Sequence, residues 1–559
     1  MKGAILLNNK RAFLLLLVFT IAFVGLVIRL FDIQIVNGER LSKAAYAQRI
    51  NSIEIEKLRG DILDRNEIPF TNRSKKFLIV LKPLFLQEHE EQLKKICSIL
   101  GMDYEKIKSS MRSMLEPIVI ETDEHRKNII MNLNYEGVSI INSLHRYDDN
   151  SLAKHIIGYI NSVDGVGSTG IEKFYNNALT YDAETLVAVV TDGRNNILPG
   201  MGYRIMKIPG TNKKLNVKLT LDYHIQKIVE DVMEKHDIKG AVVVEDVNNG
   251  DIVAIASKPD FDQNNIAKYL NSTEQELFNR AVASYDLGSI FKIIDLAVML
   301  EVKDNWDEEY FCTGSIKIGD REFKCYNHEE GGHGYVNLEK AFALSCNTYF
   351  INAVVNEIDI RKLLQKAHEF GLDNNTGINE QGIDEAKGNL PLDKKFFSYG
   401  DIANISIGQG EIMATPIQVA DIVATIANGG IKNKINIVDS IVNENGNKVR
   451  GIKVERGYRV LDKKIADKIK RMMENVIDYG TGRMISLEKY GGAAGKTGSA
   501  ETGQYVNGQS VVHGWFAGYF PRVNPKYSVA VFVENGRAGG TAGGPVFEEI
   551  AKRVMEKGY

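Results

Sequence analysis

The sequence has little of several features that other classes of protein require. Its 559 residues carry a formal charge of −3, and this near-neutral balance argues against nucleic acid as the main partner. Four cysteines are too few for a disulfide scaffold. A single uncharged apolar stretch excludes a polytopic membrane protein. The 44% of hydrophobic and 25% of charged residues exclude a largely disordered chain.

The amino-terminal apolar stretch predicts one membrane anchor. Residues 12–28 contain no charge, at the short end of the about 17–25 residues that a spanning helix needs. Basic residues flank this stretch, namely Lys2, Lys10, Arg11 and Arg29. The positive-inside tendency then predicts a cytoplasmic tail at 1–11, an anchor at 12–30 and the rest of the chain outside the cell. The alternative is a cleaved signal peptide, but the nearest small-x-small site, Ala45-Tyr46-Ala47, lies too far downstream.

The texture of the sequence after the anchor predicts two regions. Residues 31–214 are polar with short strand-like runs, and the pattern changes at residue 215. Apolar residues at helical spacing in 225–232 predict an amphipathic helix. Strand-like runs at 241–247 and 252–256 are joined through Asn249-Gly250, a hairpin signal, and two more runs lie at 510–520 and 527–534. The fold class expected for 215–559 is therefore α+β, with an antiparallel sheet from both ends of the region and helices inserted between its strands.

A serine and a lysine open a predicted helix. Ser289 follows Gly288 at the helix start, where backbone N–H groups and the helix dipole favour developing negative charge. Lys292 is three residues further on, so both side chains lie on one face. A partly desolvated lysine can serve as the base that a serine nucleophile needs. The bland alternative is a capping serine with an exposed lysine.

Two further motifs follow, and the order of the three motifs indicates a class of enzyme. Ser345-Cys346-Asn347 offers a hydroxyl and an amide two residues apart, and Lys496-Thr497-Gly498-Ser499 precedes a predicted hairpin. Gly498 would let a substrate backbone approach a strand edge. Each motif alone is weak, since a serine at a helix start is common. S-x-x-K, then S-x-N, then K-T-G is the signature of active-serine enzymes that recognise penicillin.

On these motifs the chain resembles the class B, monofunctional, high-molecular-weight penicillin-binding proteins, which are D,D-transpeptidases of peptidoglycan synthesis. The resemblance covers nearly the whole chain, including the single anchor. It extends to residues typical of the family's amino-terminal pedestal: Arg59-Gly60, Asp64-Arg65-Asn66, Arg146-Tyr147, Ala153, His155, Gly158-Tyr159, Gly170 and Glu172. It also extends to transpeptidase-domain residues: Ser257-Lys258-Pro259, Phe261-Asp262, Asn264, Gly408-Gln409-Gly410, Thr415-Pro416 and Gln418. The chain departs from the usual Pro-Gly-Ser-Thr-Phe-Lys by having Leu287 and Ile290 at two of these positions.

The resemblance implies a domain order and a role for each motif residue. It implies a pedestal at 31–214 and a transpeptidase domain at 215–559. Ser289 would attack the carbonyl between two terminal D-alanines, with Lys292 as its base. Ser345 would pass the proton to the leaving amine, Asn347 would orient the substrate, and Lys496 would supply positive field. Thr497 and Ser499, beside Gly498, would hold the terminal carboxylate, and the N–H groups of Ser289 and Ser499 would form the oxyanion hole.

The resemblance also implies partners and a slow side reaction. β-Lactams would acylate Ser289 and stall there, because the sequence shows no convincing deacylating base. Hydrolysis, including any D-Ala-D-Ala carboxypeptidase activity, would therefore be weak. The chemistry needs no cofactor. The anchor and pedestal would dock a polytopic membrane glycosyltransferase of the shape, elongation, division and sporulation family.

Three of the four cysteines lie close together in the sequence and suggest a metal. They are Cys312, Cys325 and Cys346, and the last stands inside the Ser345–Asn347 triplet. If Ser345 and Asn347 face the cleft, Cys346 points away from it. We expect a structural Cys₃His zinc site, with His333 preferred to His328 because its flanking glycines let the backbone bend around a metal. The alternatives are a Cys312–Cys325 disulfide and reduced thiols without a ligand.

Four competing functions make different demands on the sequence. A β-lactam sensor would need a large cytoplasmic output region, and about eleven residues precede the anchor. A non-catalytic scaffold would lack reacting groups, and all of them are present. A membrane-anchored β-lactamase would not need the pedestal region. A bifunctional synthase would need a glycosyltransferase domain before residue 215, where pedestal motifs stand instead.

Overall fold

The computed structural model describes residues 2–37, 41, 50–111, 116–161, 164–190, 203–208, 212–306, 308–452, 455, 457–506, 508–536 and 539–559. The chain divides into two compact units. The smaller unit comprises Met1–Leu58, Lys75–Leu144 and Asp182–Thr211. The larger unit comprises Arg59–Ser74, His145–Tyr181 and Asn212–Tyr559.

The smaller unit begins with the apolar helix that the composition predicts. This helix spans Lys2–Phe31 and continues as a π-helical turn over Asp32–Val36. Within it, Phe13–Val36 is long and apolar enough to cross a membrane, and its apolar side chains are exposed. Exposed phenylalanines and leucines on one long helix are unfavourable in water, so their position fits a lipid environment.

Two small sheets and four helices form the rest of the smaller unit. One sheet orders its strands as Ile118–Thr122, Ser74–Leu81 and Val138–His145, and the other as Ile50–Arg59, Thr180–Val190 and Tyr203–Ile208. The helices are Pro83–Leu86, Glu90–Leu100, Tyr104–Ser110 and Glu124–Leu133. Apolar residues of the first sheet, such as Ile79 and Leu81, pack with Leu93 and Ile96 into one core.

A five-stranded antiparallel sheet, the central sheet, organises the larger unit. Its strand order is Ile252–Lys258, Gly240–Asp246, Tyr527–Val533, Gln509–Phe520 and Ala494–Val506. The expected sheet from both ends of the region is therefore confirmed, including the hairpin through Asn249-Gly250. Gly250 has a φ of 77°, a left-handed conformation that glycine adopts without strain.

Both faces of the central sheet are buried beneath helices. Ala241 and Val243 belong to one apolar cluster, whereas Val242 and Val244 belong to another, because successive strand residues point to opposite faces. Helix Pro416–Ala427, every residue of which is buried, packs on the first face. Helices Tyr223–Lys235 and Gly539–Glu556 cover the second. Helix Tyr223–Lys235 confirms the amphipathic pattern of 225–232.

The larger unit also contains a second sheet, four short strand ladders and further helices among the described residues. A second sheet orders Lys448–Gly451, Val438–Asn443, Leu215–Leu219 and Ile62–Leu63. Short ladders pair Tyr285–Asp286 with Met413–Ala414, Tyr310–Cys312 with Gly334–Val336, Ser315–Ile318 with Arg321–Lys324, and Ile431–Lys432 with Tyr458–Arg459. The remaining α-helices are Lys154–Ile157, Gly170–Phe174, Asn176–Leu179, Lys292–Val302, Leu338–Ala343, Asn347–Glu357, Ile360–Glu369, Tyr399–Ile405 and Lys463–Asp478.

The boundary expected at residue 214 does not coincide with the two compact units. Residues 59–74 and 145–181, which the sequence places in the pedestal, belong to the larger unit. Buried Glu172 accepts hydrogen bonds from Arg59 at 2.8 Å and from Arg146 at 2.7 Å. Strand Ile62–Leu63 also pairs in parallel with Leu215–Leu219. The Arg59–Glu172 ion pair and the Ile62–Val217 strand pair, each across more than 100 residues, decide this grouping, and a change of composition along the chain does not reveal them.

Candidate active site

Ser289 lies in a single 3-10 turn, Gly288–Phe291, that leads directly into helix Lys292–Val302, here called the serine helix. Gly288 has a φ of 53°, and a Cβ at this position would collide with the carbonyl group of Ser499. Its N–H donates to the carbonyl of Gly408 at 2.9 Å. The glycine before the serine is thus required by a close approach to the neighbouring strand, and it holds Ser289 beside that strand.

Lys292 lies at the centre of the polar cleft. Its Nζ is 3.1 Å from Ser289 Oγ, 2.9 Å from the Ser345 carbonyl oxygen and 2.7 Å from Asn347 Oδ1. The last two oxygens can only accept hydrogen bonds. A neutral amine has two N–H groups, which satisfy these two acceptors and leave its lone pair for the Ser289 hydroxyl. The geometry therefore suits Lys292 as an acceptor of the serine proton.

Burial gives Lys292 a proton affinity in the useful range. Its side chain is fully buried, and desolvation lowers the pKa of Lys292 to about 8. The nearby anionic groups oppose this change and raise the pKa without reversing it. An amine with a pKa near ambient pH is neutral often enough to act as a base.

Ser345 connects the two lysines of the cleft. It occupies the turn between helices Leu338–Ala343 and Asn347–Glu357 with a φ of 55°, a conformation uncommon for residues other than glycine. Its Oγ lies 3.3 Å from Lys292 Nζ and 2.9 Å from Lys496 Nζ. A hydroxyl that accepts from Lys496 keeps its own proton to donate, so Ser345 can pass a proton on.

Asn347 contacts the base directly. Its Oδ1 accepts from Lys292, and its Nδ2 donates to the carbonyl of Lys324 at 2.9 Å. The resemblance implies that Asn347 orients substrate. In the structure its carbonyl oxygen orients Lys292, and one Nδ2 proton remains for a substrate carbonyl.

The third motif lies on an edge strand of the central sheet. Strand Ala494–Val506 pairs on one side with Gln509–Phe520, and this pairing confirms the hairpin expected after Lys496. Lys496 is fully buried, and burial, with a smaller effect from the charge of Lys292, lowers its pKa well below the usual value. Thr497 Oγ1 lies 2.6 Å from Thr481 Oγ1, and Ser499 Oγ accepts from the N–H of Gly539 at 3.2 Å. Thr481 stands in no recognisable motif, so sequence reasoning did not find it.

The structure brings Cys312, Cys325, His333 and Cys346 into one cluster. One ligand atom from each lies within 4.8 Å of the others. The Sγ atoms of Cys312 and Cys325 are 3.8 Å apart, those of Cys325 and Cys346 are 3.9 Å apart, and His333 Nδ1 is 3.5 Å from Cys312 Sγ. All three cysteines are free thiols here, since a disulfide would need about 2.05 Å. His328 instead places its Nδ1 3.1 Å from the carbonyl oxygen of Cys325.

These separations fit a tetrahedral metal ion. With Zn–S bonds of about 2.3 Å and a Zn–N bond of about 2.1 Å, the tetrahedron has S···S edges of about 3.8 Å and S···N edges of about 3.6 Å. The three thiols share hydrogen bonds, which lower the pKa of Cys325 and Cys312 and raise that of Cys346, so the cluster favours negative charge on two of its sulfur atoms. Thr348 adds a contact of 3.3 Å between its Oγ1 and Cys346 Sγ, which the spacing of cysteines did not reveal.

Comparison with known proteins places this cleft in context. Residues 240–556 match the penicillin binding protein transpeptidase domain, and residues 54–199 match the penicillin-binding protein dimerisation domain. Stage V sporulation protein D of Bacillus subtilis is 29% identical, over 98% of this chain and 85% of that protein. Peptidoglycan D,D-transpeptidase MrdA of Acinetobacter baumannii is 28% identical, over 94% of this chain and 84% of that protein.

Solved structures share the fold. The structure reported as "Structural coordination of polymerization and crosslinking by a peptidoglycan synthase complex" contains a chain with a TM-score of 0.70 and 24% identity, covering 98% of each chain. Penicillin-Binding Protein (PBP2) from Helicobacter pylori has a TM-score of 0.68 and 23% identity, covering 91% of this chain and all of that one. The fold and the order of the three motifs therefore agree with the resemblance found in the sequence.

Proposed function

This chain belongs to the class B penicillin-binding proteins, the peptidoglycan D,D-transpeptidases of cell-wall synthesis, and on that premise we propose how its serine cleft performs the reaction. Ser289 is the nucleophile and neutral Lys292 is its base. The contacts of Lys292 Nζ carry this assignment, because two oxygens that only accept hydrogen bonds orient its lone pair towards Ser289 Oγ, 3.1 Å away.

Acylation moves one proton and exchanges one bond. Ser289 Oγ bonds to the carbonyl carbon of the penultimate D-alanine while its proton passes to Lys292 Nζ. The backbone N–H groups of Ser289 and Ser499 stabilise the oxyanion, typically a large electrostatic contribution in acyl transfer. When the bond to the terminal D-alanine breaks, the proton passes from Lys292 through Ser345 to the leaving amine, along contacts of 3.3 Å and less.

The edge strand holds the substrate in register. Thr497 and Ser499 bind the terminal carboxylate in the positive field of Lys496, and Gly498 lets the peptide backbone lie against the strand. The amine of a second stem peptide then attacks the acyl-enzyme and forms the cross-link. Water as the acceptor gives slow hydrolysis and weak carboxypeptidase activity.

The decisive experiment is mass spectrometry of the protein after incubation with penicillin. We expect a stable adduct of one penicillin on Ser289, and no adduct in Ser289→Ala with an unchanged fold. Ser284→Ala, five residues upstream and outside the cleft contacts, is the matched control. An adduct on Ser289→Ala at the normal rate would exclude the assignment. A penicillin sensor would also be acylated, so formation of cross-linked stem peptides from glycan strands is the assay that separates these two functions.

The cysteine cluster holds a structural zinc ion in this proposal. Four protein ligands close the tetrahedron, so the metal takes no part in bond-making. It ties the loop of Cys312, Cys325 and His333 to Cys346, between Ser345 and Asn347. Loss of the metal would misplace these residues, and about 1 Å of misplacement can cost roughly 100-fold in rate.

Metal content and stability test the zinc site. Elemental analysis should find about one zinc per chain, and Cys312→Ser should lower both the melting temperature and the acylation rate, because metal binding contributes folding free energy. Cys97→Ser is the matched control, since Cys97 is also buried but lies in the smaller unit. Fully active metal-free protein, or a Cys312–Cys325 disulfide in active protein, would contradict the proposal.

The amino-terminal part of the chain anchors the enzyme in the membrane and binds its partner. The apolar helix is a single-pass anchor with the cleft on the cell-wall side, and the anchor and pedestal dock a polytopic glycosyltransferase of the shape, elongation, division and sporulation family. The similar fold of a chain in the solved structure of a peptidoglycan synthase complex supports this partner. Replacing residues 1–37 by an unrelated anchor, which leaves residues 59–74 and 145–181 of the larger unit in place, should preserve penicillin binding and abolish complementation in cells. Full complementation by the chimera would remove the argument.

A further inference from the structure

A buried carboxyl group lies behind the catalytic lysine. Asp295 belongs to the serine helix and is fully buried, at 0% exposure. Neither of its carboxylate oxygens has a hydrogen-bond partner among the described residues. Its neighbours in the chain are buried and apolar, namely Ile293, Ile294, Leu296 and Ala297. An unsatisfied carboxyl group in such surroundings is costly to the fold, so its presence requires an explanation.

Asp295 and Lys292 are placed to act on each other. They are three residues apart on one helix, and residues at this spacing lie on the same face with Cβ atoms about 5–6 Å apart. The hydrogen bonds of Lys292 Nζ go to Ser289, Ser345 and Asn347 and not to Asp295, so Lys292 and Asp295 are coupled through space. Burial raises the pKa of Asp295 well above its usual value, and the positive charge of Lys292 opposes this change, so the carboxylate form of Asp295 is favoured when Lys292 is an ammonium. Asp295 in turn raises the pKa of Lys292.

Among the described residues, the helices packed against the serine helix offer no unpaired buried charge that could neutralise Asp295 or Lys292. Helix Lys463–Asp478 contributes buried residues that are all apolar: Ala466, Ile469, Met472, Met473, Val476 and Ile477. The charged residue buried on helix Ile360–Glu369 is Lys366, which pairs with Glu301 and Glu369. Helix Asn347–Glu357 buries neutral side chains. On the cleft side Lys292 is coupled to Lys496, Cys325 and Cys346.

We propose that Asp295 is a positioning residue for acyl transfer, whose carboxylate stabilises the Lys292 ammonium that forms when Lys292 takes the proton of Ser289. This inference rests on the proposed role of Lys292 as base. During acylation the proton leaves Ser289 Oγ, and a positive charge develops on Lys292 in a dry cleft beside a second lysine. A fixed carboxylate behind the base offsets that charge without touching the substrate or the reacting atoms.

The pH dependence of acylation tests the proposal in the full-length protein. The assay is the second-order rate of labelling by a fluorescent penicillin between pH 6 and pH 10. Asp295→Asn removes the charge at nearly constant shape, so the Lys292 ammonium loses stabilisation. In a plot of labelling rate against pH, the acid limb is the part where the rate falls as Lys292 becomes protonated. For Asp295→Asn we expect this acid limb to move to lower pH by about 1 unit. We also expect the constant rate above the limb to fall about 10-fold, because the base is weaker. Asp295→Glu, which keeps the charge, should restore the position of the limb.

Two controls keep the result interpretable. Asp304→Asn removes a carboxylate that is 95% exposed near the same helix, and it should leave the profile unchanged. Removing an unsatisfied buried carboxyl group should not destabilise the fold. The thermal midpoint of Asp295→Asn should therefore be the same as that of the parent protein or higher by up to about 2–4 °C. If Asp295→Asn does not fold, Asp295→Leu tests the same charge with an apolar replacement.

The outcomes separate this proposal from the proposed function. An acid limb that stays at the parent pH in folded Asp295→Asn or Asp295→Leu overturns the role of Asp295, while Lys292→Arg still slows acylation by a factor of about 10⁴. A Lys292→Arg protein that acylates normally overturns the assignment of the base, and the role of Asp295 falls with it. A moved limb in Asp295→Asn, restored in Asp295→Glu, supports both.

Discussion

Replacing Lys292 by arginine is the sharpest test of the assigned chemistry, because it keeps the positive charge and removes the base. Lys292 is fully buried, with a pKa near 8. At pH 7.5 about a quarter of such lysines are neutral, as the pKa of about 8 requires. A guanidinium, whose pKa lies several units higher, is neutral in only about 1 molecule in 100,000 at that pH. The availability of a base therefore falls by a factor of about 10⁴ or more.

The expected loss in acylation rate follows from that ratio. A factor of about 10⁴ corresponds to about 5–6 kcal/mol in the activation free energy. The larger, planar guanidinium also cannot reproduce the contacts of 2.7 Å with Asn347 and 2.9 Å with the Ser345 carbonyl in a site without free space. Residual acylation should remain, since oxyanion stabilisation and substrate binding do not depend on the base.

The assay is stopped-flow measurement of acylation by a chromogenic β-lactam, with the thermal midpoint measured in parallel. Lys303→Arg is the matched control, because Lys303 directly follows the same helix and its side chain is 39% exposed. Its acylation rate should equal that of the parent protein. If folded Lys292→Arg acylates within 10-fold of the parent rate, Lys292 is not the base and the geometric argument from its lone pair is wrong.

Three further predictions test other parts of the structure. In the parent protein, acylation should slow about 10-fold per pH unit below about pH 8. Only neutral Lys292 can accept the serine proton, and protonation of Lys292 at lower pH removes this neutral form. A rate that is constant from pH 6 to pH 9 would contradict this prediction. Glu172→Gln should destabilise the larger unit by about 3–5 kcal/mol in denaturant unfolding, since Arg59 and Arg146 would lose the buried carboxylate that pairs with both; Glu329→Gln, at an exposed position, should cost less than about 0.5 kcal/mol. Gly288→Ala should cut acylation about 100-fold or more, because its Cβ would collide with the Ser499 carbonyl and displace Ser289, and an unchanged rate would show that this approach is not needed.

Local patterns predicted much of the fold. The apolar residues at helical spacing in 225–232, the hairpin through Asn249-Gly250 and the strands near 510–520 and 527–534 all stand where the sequence places them. Helical and strand periodicity and turn chemistry act over a few residues, so they can be recognised without knowledge of the fold. The order of the three motifs likewise indicates the class of reaction, because the residue types carry the chemistry.

Tertiary structure alone decided how those residues meet. Ser345 Oγ lies between two lysines, one of them 151 residues away, because the edge strand Ala494–Val506 packs beside the turn Gly288–Phe291. Packing of strands Tyr310–Cys312 and Arg321–Lys324 against helix Asn347–Glu357 closes the cluster of Cys312, Cys325, His333 and Cys346, whose spacing matches no short zinc motif. Asp295 looks from the sequence like one polar residue in an apolar helix, and only burial without a hydrogen-bond partner marks it. Such features depend on contacts between distant segments, which a single sequence does not encode in any local pattern.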